Sequence, residues 1–190
     1  MTDYLLKAAC IPLHPTQEAR HAAFCLYPGE CIHLKGRNGA GKSTFLKALA
    51  GYYHDELFWL DSDQSLWIPD NDYIASGLTA RNYLKYMQYF MLGESAEDPL
   101  YTIINFDLDA DVAQLSLGQK QQLNLCQLYL SKAKVWLLDE PDRGLDQDAS
   151  NILESLIEGH IKKGGGAVVS THSNNLFKTS SPCIRLLNLS

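Results

Sequence analysis

Gly36-Arg37-Asn38-Gly39-Ala40-Gly41-Lys42-Ser43 is the stretch on which the reading of this chain turns. It satisfies G-x-x-x-x-G-K-[ST] without a mismatch. At average residue frequencies its four constrained positions would be met by chance in such a chain with a probability of order 1%. The glycines let the backbone curl until successive N–H groups point inward at phosphate oxygens. A helix beginning near Lys42 adds its positive dipole end. Lys42 then sets a cation on β and γ phosphates, and the Ser43 hydroxyl is placed to ligate magnesium. The flanks agree. Cys31-Ile32-His33-Leu34-Lys35 alternates apolar and polar, as a short strand does. Ser43 to Ala50 reads as a helix stopped by Gly51, with Phe45 and Leu49, and Leu46 and Ala50, forming two inward rows.

Outward from the cradle, Val135-Trp136-Leu137-Leu138 is a continuous apolar run, the mark of a strand covered on both faces. Asp139 and Glu140 follow it. A carboxylate at that strand end suits magnesium opposite the cradle, and its neighbour, pointing elsewhere, is free to face an attacking water. Gln147 to Ile161 reads as a helix, ended by Gly164-Gly165-Gly166, and Ala167-Val168-Val169 supplies another buried strand. Strands alternating with helices predict an α/β fold with a mostly parallel sheet flanked by helices.

Composition bounds the remaining possibilities. The chain has 190 residues, 46% hydrophobic and 20% charged, enough for one globular domain and no more. A net charge of -6 argues against nonspecific nucleic-acid binding, and no nucleic-acid partner is expected. No apolar run approaches the roughly 20 residues of a membrane span, and Asp3 and Lys7 argue against a secretory signal. Cys10, Cys25, Cys31, Cys126 and Cys183 show no metal or disulfide spacing and read as buried thiols. The middle is aromatic, with Trp59, Trp67, Tyr83, Tyr86 and Tyr89 in one region. Thr79 is placed to cap a helix carrying Leu84, Met87 and Met91 on one face. Those aromatics either pack a small helical lobe or remain exposed to grip a partner.

Leu115-Ser116-Leu117-Gly118-Gln119 narrows the reading, because it resembles the LSGGQ signature of ABC ATPases. It precedes Asp139 with room for one helix, on which Leu123, Cys126 and Leu130 repeat, and then the Walker B strand. Gly144-Leu145-Asp146 looks like the D-loop, and Ser170-Thr171-His172 like the switch-histidine segment. The resemblance spans roughly Phe24 to His172. It implies a P-loop NTPase of ABC type over 1–190, with 1–72 and 132–190 as a RecA-like core, 73–131 as a small helical lobe carrying the signature, and a reduced β-subdomain. It further implies an ATPase using ATP and magnesium (Mg2+). Glu140 would polarise the water, His172 orient the γ-phosphate and Lys42 balance charge. Gly36, Arg37, Asn38, Gly39, Ala40, Gly41, Lys42, Ser43 and Thr44 would hold the nucleotide. Ser116, Gly118, Gln119 and Asp146 would serve the nucleotide of a second copy in a head-to-tail dimer. Ser43, Asp139 and Asn71 would hold the metal.

The chain also departs from the pattern. The usual Q-loop glutamine is replaced, in the alignment through Leu66-Trp67-Ile68-Pro69, by Asn71, which is shorter by a methylene. No aromatic stands near Leu13 or His14 to stack on adenine, and Tyr4 is too far upstream. Length and trimmed loops look most like the small ATPase subunit of haem-export and cytochrome c biogenesis systems. The resemblance therefore implies integral membrane transporter subunits as partners and a cytoplasmic, peripheral location on the inner membrane. Two other readings stay open: a soluble ABC-type ATPase that remodels a protein or nucleic-acid complex, and a low-turnover regulatory nucleotide-binding module.

Overall fold

A computed structural model describes residues 4–12, 21–52, 58–59, 65–70, 77–93, 103–172 and 184–189. The chain divides into two compact units, one of residues 1–70, 132–141 and 157–190, the other of 71–131 and 142–156.

In the first unit, β1 (Leu6–Pro12) pairs antiparallel with β2 (His21–Leu26), and its other edge carries a two-residue strand, β4 (Phe58–Trp59). The main sheet holds β3 (Cys31–Lys35), β5 (Ser65–Ile68), β6 (Val135–Asp139), β7 (Gly166–Ser170) and β8 (Ile184–Asn188). Their order is β5-β6-β7-β3-β8, and every pairing is parallel. The fold is thus α/β with a parallel main sheet, as the alternating elements predict. Helix α1 (Lys42–Leu49) packs Phe45, Leu46 and Leu49 into a core with Leu26, Ile32, Leu34, Leu137 and Val168. Phe24 meets the Phe45 ring edge-on at 5.2 Å between centroids.

The short strand expected at Cys31 to Lys35 is β3. His33 is buried, because β3 lies inside a sheet covered on both sides, and its Nε2 approaches the Thr171 carbonyl oxygen at 3.3 Å. Cysteine burial needs correction. Cys31 and Cys126 are buried free thiols, but Cys25 is half-buried. Burial pushes the Cys126 thiol up to about 12, which keeps it protonated and unreactive. Cys10 side-chain surroundings and Cys183 lie outside what is described, as do Leu13, His14 and Asn71. Tyr4 packs against Tyr27 at 5.5 Å between centroids, beside the turn into β3 and at the opposite end of that strand from Gly36.

In the second unit, α2 (Ala80–Leu92) starts where the Thr79 hydroxyl accepts the Asn82 N–H at 3.3 Å and stops at left-handed Gly93. Leu84 and Met87 are buried and Met91 is half-buried, whereas Tyr86, Tyr89 and Phe90 lie exposed. The helical aromatics therefore divide between packed and exposed positions. A 3-10 turn (Val112–Gln114) leads to α3 (Leu117–Leu130), on which Leu123, Cys126 and Leu130 are buried. Tyr83 is tied to α3 by Gln127, whose Nε2 donates to the Tyr83 hydroxyl at 3.3 Å and to Asn124 Oδ1 at 3.1 Å. α4 (Gln147–Lys162) runs on from the second unit into the first.

Candidate functional site

Three of the loops that carry the predicted chemistry leave neighbouring strands at one edge of the main sheet. β6, β7 and β3 are adjacent, and Asp139 lies in register with Ser170, which lies in register with Leu34. Parallel strands deliver their loops to the same carboxyl edge, so the Gly36 loop, the Asp139-Glu140 pair and Thr171-His172 share one rim.

The cradle is shaped by its glycines. A β-carbon on Gly36 would sit 2.7 Å from the Leu189 carbonyl oxygen and 2.9 Å from the Ala40 β-carbon, so only glycine fits against β8. Gly39 and Gly41 take positive φ of 80° and 100°. The Lys42 ammonium lies over the loop, donating to the Gly36 carbonyl at 3.0 Å and less closely to Arg37 at 3.5 Å. Neutral carbonyls hold the cation without cancelling its charge, and Ser43 beside it is exposed.

Asp139 is 3% exposed, and the Ser170 hydroxyl donates to its Oδ1 at 2.5 Å. With Ser43 it offers hard oxygen donors of the kind magnesium prefers, so the residues present fit that ion. Glu140 leaves the sheet with φ 49°, a left-handed conformation, while its N–H donates to the Ser170 carbonyl at 2.9 Å. That turn aims its carboxylate at His172. The His172 N–H donates to Glu140 Oε2 at 3.3 Å, and His172 Nε2 lies 3.4 Å from Oε1. Glu140 is nearly covered and His172 exposed, so the pair presents one polar edge outward.

The signature and D-loop residues belong to the second unit. Ser116 caps α3, its hydroxyl oxygen accepting the Gln119 N–H at 3.3 Å, and Gln119 Oε1 accepts the Ser116 N–H at 2.8 Å. This is a capping box, so the structural role of the turn is real. It does not exhaust Ser116, whose O–H still has a proton to donate while the oxygen accepts. A β-carbon on Gly118 would strike the Gly144 carbonyl oxygen, so glycine there lets the two segments touch. Asp146 caps α4, with Oδ1 accepting the Ala149 N–H at 2.8 Å, and its Oδ2 accepts from Asn105 Nδ2 at 3.4 Å.

Several contributors escape sequence reasoning. Ser170 steadies Asp139, His33 reaches the Thr171 carbonyl, and Leu189 walls Gly36. Only Ser170 leaves a trace in sequence, as a serine ending a buried strand beside the motif. Asn105 leaves none.

The sequence pattern of the ABC transporter family matches residues 19–143. The cytochrome c biogenesis ATP-binding export protein CcmA of Bordetella parapertussis is 34% identical over 166 residues, covering 77% of this chain and 74% of that protein. The protein of the same name from Vibrio vulnificus is 30% identical over 184 residues, covering 87% and 89%. Among solved structures, a putative ABC transporter ATP-binding protein from Pyrococcus furiosus superposes with a TM-score of 0.76 at 19% identity, covering 97% of this chain and 96% of that one. At that identity the likeness concerns the fold.

Proposed function

We propose, from the premise that the chain belongs to the ABC transporter family as an ATP-binding, ATP-hydrolysing subunit of the CcmA type, that it works as a head-to-tail pair whose closure on ATP drives separate membrane subunits. A single copy of each motif calls for a second copy, and a symmetric dimer is the simplest closed arrangement. In this reading the Gly36–Thr44 loop of one copy and Ser116, Gly118, Gln119 and Asp146 of the other enclose the nucleotide. Water attacks the γ-phosphate in line, and catalysis is positioning and charge stabilisation. Glu140 polarises the water, His172 orients the γ-phosphate and Lys42 balances the charge on the phosphates. Magnesium, held by Ser43 and Asp139, supplies further charge neutralisation when bound.

The observation that carries this reading is the Glu140–His172 contact, 3.4 Å between side chains, on the rim that also holds the Lys42 loop. The names of the relatives support export in cytochrome c biogenesis as the task, and the family resemblance of the sequence adds haem as the cargo and the cytoplasmic face of the inner membrane as the location. Among the described residues no helix is long and apolar enough to cross a membrane, which fits a subunit docked on others.

The test is Glu140→Gln with ATP and magnesium. Turnover should fall by about 10²–10⁴ while nucleotide remains bound, and gel filtration should show the protein shift to a dimer. A monomer peak together with undiminished hydrolysis rejects the assignment. Lys42→Ala should instead lose nucleotide affinity, read by titration with a fluorescent ATP analogue.

A further inference from the structure

We propose that Asn105 is a positioning residue, one that holds the Asp146 carboxylate in a set direction and ties it to the signature helix. The Asn105 N–H donates to Gln122 Oε1 at 3.2 Å. Gln122 sits on α3 and is 4% exposed, so its amide is withdrawn from water and committed to partners inside this unit. The Asn105 side chain reaches the other way, to Asp146 Oδ2 at 3.4 Å, while Oδ1 of the same carboxylate accepts the Ala149 N–H. Asp146 is therefore held from two sides. One bond starts α4, and the other sets the rotation of the carboxylate about its own axis.

Folding alone gives little reason for the second bond. Asn105 and Asp146 are both exposed, and a hydrogen bond between exposed groups contributes little net stability. What the bond governs is where an exposed carboxylate points. A neutral amide suits the task, since an aspartate would repel Asp146 and an apolar side chain would bring no donor. The packing of Gly118 on the Gly144 carbonyl brings α3 and the turn before α4 together at a second point. The inference rests on the two-copy reading above, in which Asp146 is presented to the other copy. There a misplacement of an ångström is enough to cost turnover.

A double-mutant cycle tests it. Asn105→Ala should lower kcat by about tenfold, the worth of one well-placed hydrogen bond. KM for ATP and affinity for a nonhydrolysable analogue should hold within about twofold, because Asn105 lies outside the phosphate cradle. Asp146→Ser keeps a helix-capping oxygen but has no second oxygen for Asn105. In that background Asn105→Ala should bring no further loss. Asn105→Asp, which sets two carboxylates together, should lose more than Asn105→Ala. Unaltered melting temperatures confirm that the exposed variants fold. Full turnover in Asn105→Ala, or equal losses in both backgrounds, overturns the positioning role. If Asp146→Ser itself keeps full turnover, the two-copy role of Asp146 has failed and this inference goes with it. An impaired Asp146→Ser beside an unimpaired Asn105→Ala sinks this inference alone.

Discussion

Glu140 is held in a conformation that its side chain disfavours. A non-glycine residue at φ 49° carries a cost of order 1–3 kcal/mol, and the Ser170 carbonyl and His172 N–H are what oppose relaxation. Glu140→Gly and Glu140→Ala both delete the carboxylate, but only glycine relieves the backbone. The glycine variant should be the more stable by about 1 kcal/mol, measured by urea denaturation; equal midpoints would mean that no strain resides there. The acidic pair itself was legible, because an apolar run followed by Asp-Glu marks a strand ending in chemistry. The strain was not. It depends on Ser170, which is in register with Asp139 across the sheet and distant in sequence.

At the scale of elements, α3 begins with a residue that has two tasks. Ser116→Ala should cost about 1 kcal/mol through loss of the cap. Ser116→Asp keeps a capping oxygen and should melt within a degree or two of the parent, yet hydrolysis should collapse because a carboxylate repels an incoming phosphate. Thermal melts beside ATPase rates separate the two tasks, and normal turnover in Ser116→Asp would reduce the turn to a helix cap. The other end of α4 has its own anchor. His160 stacks on Trp136 at 3.9 Å and 5° between planes, and its Nε2 lies 3.2 Å from the Lys134 carbonyl oxygen and 3.3 Å from that of Gly166. Burial holds this imidazole below its ordinary 6.5, outweighing the two carbonyls, with nearby Lys163 acting in the same direction as burial. The unfolded chain therefore takes up this proton first as pH falls. The contribution of the neutral ring to stability is whole above about 6.5 and is lost below it. His160→Phe keeps the stack without the proton, so its melting temperature should decline less between pH 7.5 and 5 than that of the parent. Helices and buried strands were readable from periodicity, as Val135 to Leu138 and the Thr79 cap illustrate. The burial of His33 was not legible, because alternation carries no sign that a strand is covered on both faces of a parallel sheet.

For the whole molecule, the family and the order of its motifs were legible in sequence, since Gly36 to Ser43, Leu115 to Gln119 and Gly144 to Asp146 each carry a local signature. Their geometry was not, because it arises from strands that meet out of sequence order. The prediction at this scale concerns assembly. Affinity purification from detergent-solubilised membranes should recover an integral membrane protein in stoichiometric amount, identified by mass spectrometry. Recovery of soluble partners alone would favour the remodelling ATPase instead. The exposed face of Tyr86, Tyr89 and Phe90 belongs to the same question only as a surface, since nothing in the structure shows what covers it.

Strand β3 sits between β7 and β8, both of which are made long after it, and Leu189 closes against Gly36. On the ribosome, β3 therefore waits with one edge unpaired until β7 (Gly166–Ser170) has been made and with the other unpaired until β8 (Ile184–Asn188) has been made. At common elongation rates of 5–20 residues per second, that interval is roughly ten to thirty seconds. Throughout it the nascent chain displays an unpaired strand edge of the kind that invites chaperones.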